Sequence, residues 1–296
     1  MKLRSAFTMI ELVFVIVIMG IIGKFGVEFL VQSYNSYIFS KVNNQLQSNS
    51  ASSLEFIASR LQYRIKDSTI AREDDNSSYT SITDLNSSKS YTGLEWVSID
   101  MEGYRSNATP NWSGIIDLNN TNADANNLVT PQTDTDKITD LINILSNGDK
   151  TIDNAVVYFM GANSDIDGYG WDGNAITDQS KVLHPIKASA SSSDVLKPRG
   201  GDFSGIDVYE YYKLAWTANS VRIENINSDT NTFNLEFYFD YQPWDGETYE
   251  DAKHFTLMKN ISTFRFTAIG SIIKIQICAK TSLKEEYSLC KEKTIF

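Results

Sequence analysis

The sequence predicts an α+β protein: one long N-terminal helix, transmembrane in its first part and amphipathic in its second, packed on an antiparallel β-sheet head. Three observations predict it. A strongly apolar run, FTMIELVFVIVIMGIIG, begins at Phe7. Beyond it Val31, Tyr34, Ile38, Val42, Leu46, Leu54, Ile57, Leu61 and Ile65 recur at three- and four-residue steps, the period of a helix with one apolar face. Farther on, short runs rich in Tyr, Phe, Val and Ile alternate with period two, the mark of strands with one buried face.

Residues 1–6, MKLRSA, carry Lys2 and Arg4 and end on the small Ala6. In a secretory signal the small cleavage-site residue follows the apolar stretch; here it precedes it, so cleavage after Ala6 leaves the apolar helix on the mature chain. From Phe7 to Gly23 the only charge is Glu11. With its extension through Phe25, Val27, Phe29, Leu30 and Val31, and a rise of about 1.5 Å per residue, this segment spans a hydrocarbon core of about 30 Å. The basic hexapeptide stays in the cytoplasm and the remainder is translocated, which makes the chain a single-pass protein with its head periplasmic or extracellular. A lone carboxylate inside a membrane helix costs on the order of 2.5 to 3.5 kcal/mol and persists when it has a partner. The chain offers Glu11 no obvious one, and an ordinary membrane anchor with a tolerated Glu is the competing reading.

Ala6, Phe7, Thr8, Met9, Ile10 and Glu11, with the apolar run behind them, resemble the prepilin cleavage and methylation motif of type IV pilins and type II secretion pseudopilins; the likeness covers about the first 25 residues. This resemblance implies that a prepilin peptidase cuts between Ala6 and Phe7 and methylates the new Phe7 amine. It also implies that the Glu11 carboxylate meets the N-terminal amine of a neighbouring subunit during assembly. Opposite charges on adjoining helices would cancel each other's desolvation and set the axial register. The implied setting is the bacterial inner membrane. The implied partners are other pilins or pseudopilins, the peptidase and an inner-membrane assembly platform, in a fibre serving type II-like secretion or DNA uptake, as in natural transformation. Glu28 stands where subunits of long pili carry a kinking Pro, and Gly20, Gly23 and Gly26 are the weak points of the helix instead, each lowering helix propensity by roughly 1 kcal/mol. The size of the head and its closing segments STFRFTAIG and IIKIQICAK are similar to the larger minor pseudopilins of the J type. On this reading the chain divides into a leader (1–6), an assembly helix (7–31), an amphipathic half of that helix (32–67) and a β-rich head (68–296).

In chain order the helix runs from about Phe7 to Asp67, and residues 68–92, rich in Ser, Asn and Asp, read as an exposed loop. Strands follow at Leu94 (LEWVSIDM), Ala155 (AVVYFM), Asp207 (DVYEYYKLAW), Ser220 (SVRIENI), Phe233 (FNLEFYFD), Ser262 (STFRFTAI) and Ser271 (SIIKIQICAK). Leu141, Ile142, Ile144 and Leu145 form a short second helix that ends at Asn147 and Gly148.

Of 296 residues, 26 are Lys or Arg and 37 are Asp or Glu, a formal charge of −11. The acidic excess lies beyond residue 66, so the head repels phosphate backbones and direct nucleic-acid binding is disfavoured. Asp165, Asp167 and Asp172 sit on the Gly-rich stretch NSDIDGYGWDGN, a pattern that suits calcium or a plain surface loop. Asn76, Asn86 and Asn119 open Asn-x-Ser/Thr sequons with Asp74, Asp84 and Asp117 two residues upstream, like the acidic extended sequon of some bacterial glycosylation systems; the Ser, Asn and Asp content also yields such matches by chance. Cys278 and Cys290 read as one local disulfide in an oxidising compartment, or as two free thiols in a reducing one. His184 and His254 lack a carboxylate and nucleophile at a recognisable spacing, so no catalytic residues are expected. Two aromatic clusters, Tyr209, Tyr211, Tyr212 and Trp216, then Phe237, Tyr238, Phe239, Tyr241 and Trp244, suit either a binding groove or core packing. A pilus-tip subunit whose aromatic head recognises a surface or substrate is therefore the alternative function.

Overall fold

The computed structural model describes residues 8–73, 78–106, 108–162, 164–281 and 287–296. Ala6, Phe7, Asp74, Asn76 and Asn163 lie outside the described residues.

Helix α1 spans Met9–Leu61, unbroken through Gly20, Gly23 and Gly26. Its length is about 80 Å at 1.5 Å per residue. Thr8 is its N-cap, and the Glu11 carboxylate folds back to accept from the Thr8 backbone N–H and hydroxyl, both at 2.9 Å. Two expectations for α1 are corrected. Its packing face starts at Ile38, because Val31 and Tyr34 are exposed, and the helix ends at Leu61, not Asp67. The early end has a cause downstream. Arg64 donates through Nη1 to the Leu61 carbonyl and bridges to Ser98, while the Ile65 N–H bonds the Val97 carbonyl at 2.9 Å. The chain is thereby drawn onto a strand, and Lys66–Ser68 makes one 3₁₀ turn.

The stretch expected as an exposed loop begins with buried structure instead. Ser68, Thr69, Ile70, Ala71 and Arg72 are buried, and strands β1 (Ile70–Glu73) and β2 (Tyr79–Ser81) pair there. Strand β3 (Tyr91–Ile99) pairs with β1 and leads to the short helix α2 (Met101–Tyr104). After β4 (Leu128–Val129), helix α3 (Thr135–Leu145) is capped by Asp134, which accepts from the Lys137 N–H at 3.1 Å. Asn147 and Gly148 end it, both with positive φ, and the Gly148 N–H returns to the Asn143 carbonyl at 2.8 Å.

Strands β5 (Val156–Phe159), β6 (Leu183–Ala188) and β7 (Val195–Pro198) follow. Then come β8 (Tyr212–Asn227), β9 (Thr232–Tyr241), β10 (Lys253–Ile269), β11 (Ile272–Lys280) and β12 (Ser288–Ile295). Every pairing is antiparallel. The path runs β12–β11–β10–β9–β8–β5–β6–β7–β4, and β8 also pairs β3, which carries β1 and β2. The two strands expected around Asp207 and Ser220 are one, β8. Its polar middle stays extended because Asn219 donates to the Ser98 hydroxyl at 2.6 Å and Ser220 is buried.

Among the described residues three apolar clusters fill the head. On one sheet face Leu54, Ile57, Ala58 and Leu61 of α1 pack on Leu94, Trp96, Leu235, Ile261, Ile275 and Ile277. Ile138 and Ile142 of α3 pack with Trp112, Val157, Phe159 and Leu214. The third gathers Ile65, Val97, Tyr169, Trp171, Tyr241 and Trp244.

Candidate functional site

From Thr8 to Tyr37 every residue of the stem is exposed. Its most apolar stretch has a mean hydropathy of 2.3 with none of it buried, and among the described residues it is the one helix long and apolar enough to cross a membrane. Lys24 and Glu28 pair one turn apart at 3.8 Å within the same helix. Glu11 is bonded to its own Thr8.

The Gly-rich acidic stretch lies against the sheet face opposite α1, held there by its aromatic residues. Tyr169 is fully buried, and the Trp171 indole N–H donates to the Ser68 carbonyl at 3.0 Å. Asp165 accepts from the Asp167 N–H at 3.2 Å, Asp167 accepts from the Tyr79 hydroxyl at 2.9 Å, and Asp172 accepts from the Asn174 N–H at 3.1 Å. Among the described residues no group of three or more His, Cys, Asp or Glu side chains is placed to hold a metal ion. Asn86 and Asn119 are exposed. Cys278 and Cys290 are joined; they face each other across β11 and β12 with Cα atoms 3.9 Å apart.

Of the histidines, His184 is buried between Phe159 and Phe203, with ring centroids at 4.5 and 5.8 Å, and burial pushes its pKa down to about 4. His254 stacks on Tyr238. Asp100, which caps α2 by accepting from Gly103 N–H at 3.1 Å, is pushed up to about 6, chiefly by burial. A side chain at Gly103 would meet Asp100 Oδ2 at 2.0 Å.

Period two places Glu95 on the face opposite its neighbours Leu94 and Trp96, away from α1. There Arg72 donates to Glu95 at 3.0 Å and Arg222 at 3.1 Å, and the Tyr241 hydroxyl adds a bond at 3.1 Å. Arg222 also lies 3.6 Å over the Tyr249 ring. The cluster is closed, and Arg222 also lies 3.8 Å from Glu224, which suits a structural cross-link between β1, β3 and β8.

The aromatic residues divide between the two uses open to them. Tyr212, Trp216, Phe237, Tyr238, Tyr241 and Trp244 are buried, Tyr211 is exposed, and Tyr209 and Phe239 are half-buried. Some of them also floor a groove of about 700 Å³ beside the last two turns of α1. Phe237 and Phe239 of β9 meet Phe255 of β10, and Phe56 of α1 packs on Phe237 at 4.9 Å and on Phe255 at 5.7 Å. Arg60 and Arg105 stand at its rim, over the rings of Phe56 at 5.6 Å and Tyr63 at 4.6 Å. Phe56, Arg60 and Phe255 escape a reading of the core stripe alone. Phe56, Ser59, Arg60 and Tyr63 do recur at helical spacing, a second stripe beside the buried one.

Comparison of the chain with protein-family models, with curated proteins and with solved structures finds no match.

Proposed function

We propose that the chain is a minor pseudopilin or pilin subunit, cleaved after Ala6 and N-methylated on Phe7 by a prepilin peptidase. It assembles through its N-terminal helix into a periplasmic fibre for type II-like secretion or DNA uptake. The observation that carries the reading is Glu11, the one charge between Thr8 and Gly23, near the start of an apolar helix that is exposed on all sides up to Tyr37. A surface of that size needs lipid, neighbouring helices, or each in turn. In either setting a lone carboxylate needs a cationic partner, and the amine created by cleavage at Phe7 would be one on an adjoining helix. An acidic α+β head at the far end of the stem is consistent with this role, and the chain performs no chemistry of its own in it.

The test is the N-terminal sequence and mass of the protein from native membranes, with and without the prepilin peptidase. A mature start at a methylated Phe7, lost without the peptidase, supports the reading; an intact Met1 in both strains leaves a plain anchor. In parallel, Glu11→Ala is expected to insert into the membrane normally and to be absent from assembled fibres.

A further inference from the structure

We propose that the groove beside the end of α1 binds a segment of another polypeptide that presents a bulky apolar side chain next to a carboxylate. The site is separate from the apolar stem and would serve an anchored monomer as well as a fibre subunit.

The floor argues for the apolar side chain. Helix α1 covers only part of the sheet face beneath it, and at Phe239 and Phe255 the face stays open, with Phe255 42% exposed. The opening is the size of sites that enclose a small ligand or an anchoring side chain, about 300 to 1,000 Å³, and within it Phe56, Phe237, Phe239 and Phe255 form one patch of rings in mutual contact. The polar groups on the floor are already engaged: Asn219 donates to Ser98, and Thr217 Oγ1 accepts the Asp240 N–H at 2.9 Å. Little bonding capacity is left there to read the hydroxyls of a sugar.

The rim argues for the carboxylate. Arg60 pairs with Glu102 at 3.5 Å while both side chains are about half exposed, a pairing that water and salt weaken and a ligand can replace. Arg105 donates to the Tyr63 hydroxyl. Each guanidinium has five N–H donors, so Arg105 can receive a carboxylate and keep its bond to Tyr63, while Arg60 can turn to one from Glu102. In a chain of net charge −11, two guanidinium groups over an aromatic floor discriminate for acidic segments and against basic ones. Asp240 also lines the groove, but Lys253 neutralises it at 2.6 Å, so it does not oppose an acidic segment.

The experiment uses the full chain in lipid nanodiscs, with empty discs as the blank, and fluorescence anisotropy of dye-labelled octapeptides. One carries Leu-Phe-Glu-Glu at its centre, one Leu-Phe-Lys-Lys, and one Ala-Ala-Glu-Glu. Saturable binding of the first is expected, with the other two weaker by roughly ten-fold or more. Arg105→Glu and Phe255→Ala replace exposed side chains, and unchanged near-UV circular dichroism would verify the fold. Each should weaken the first peptide by roughly ten-fold, and Arg105→Glu should turn the preference towards the lysine peptide. Equal affinity for the glutamate and lysine peptides, no saturable binding, or indifference to both substitutions would overturn the proposal.

Discussion

The stem and the head solve the problem of burial in opposite ways. Residues 8–37 bury none of their apolar side chains, and the three charges there are arranged along one helix, Glu11 on Thr8 and Lys24 on Glu28. The head closes on itself, to the point of holding Glu95 fully buried between two arginines. The stem is therefore only as stable as a single helix in whatever surrounds it, while the head carries its own core and would keep its fold through a change of surroundings.

That contrast can be broken most severely at Glu95. Glu95→Gln leaves Arg72 and Arg222 buried without their shared counter-charge, a loss of about 3 to 5 kcal/mol in head stability. Chemical denaturation followed by tryptophan fluorescence should report it, with stem helicity in micelles unchanged. Next, Leu61→Ala removes a fully buried side chain where α1 meets the sheet and should cost about 2 to 5 kcal/mol in the same assay. Ile16→Ala, 62% exposed on the stem, should leave the head transition where it was. A comparable loss from both would mean that stem and head fold as one unit. Removing the Cys278–Cys290 bridge with a double serine variant should cost about 3 kcal/mol, the loop-closure value for a short loop.

The smallest net effect expected of the wild type depends on pH, because two groups inside the head oppose each other. Unfolded His184 takes a proton below its ordinary value of 6.5, whereas the folded side chain takes one only near 4, so stability falls by up to roughly 3 kcal/mol as pH drops through that window. Asp100 acts oppositely: its folded carboxyl binds a proton near 6 and the unfolded one near 3.8, so its contribution grows on acidification. The two should largely offset in the wild type. In His184→Gln, stability should rise between pH 6 and pH 4; a curve matching the wild type would show that His184 is not the group responsible.

Where one residue type dominates a face, the fold was legible in sequence. The apolar run, the alternation in β3, β9 and β11, and the Asn147–Gly148 stop of α3 all depend on neighbours a few residues apart. Strand β1 was not legible, because Arg72 reads as solvent-exposed until Glu95 and Arg222 are brought beside it by pairing. Strand β12 was hidden for a related reason. Its Lys291, Glu292 and Lys293 look like a solvated tail, although it lies at the sheet edge against α1, where Lys293 reaches Glu55. The short strands β4 and β7 have too few residues for a period to emerge, and β6 does not alternate because its first four residues are all buried. The groove draws on Phe56 and Phe255, nearly two hundred positions apart, which only topology places together.

The attachment of α1 also settles how the molecule would bear tension. A pull on the free end of the helix reaches the head through side contacts with β12, β11 and β10, among them Tyr287 on Asn43 at 2.9 Å and Lys293 on Glu55, and through the clamp that Arg64 makes between Leu61 and Ser271. These contacts run along the helix and are loaded together, in shear, so they do not fail one at a time. The disulfide lies across the two strands next in line, where it would stop the edge strand from peeling away first. A pull on the stem would thus load these contacts together, with the covalent staple joining the edge strand to its neighbour.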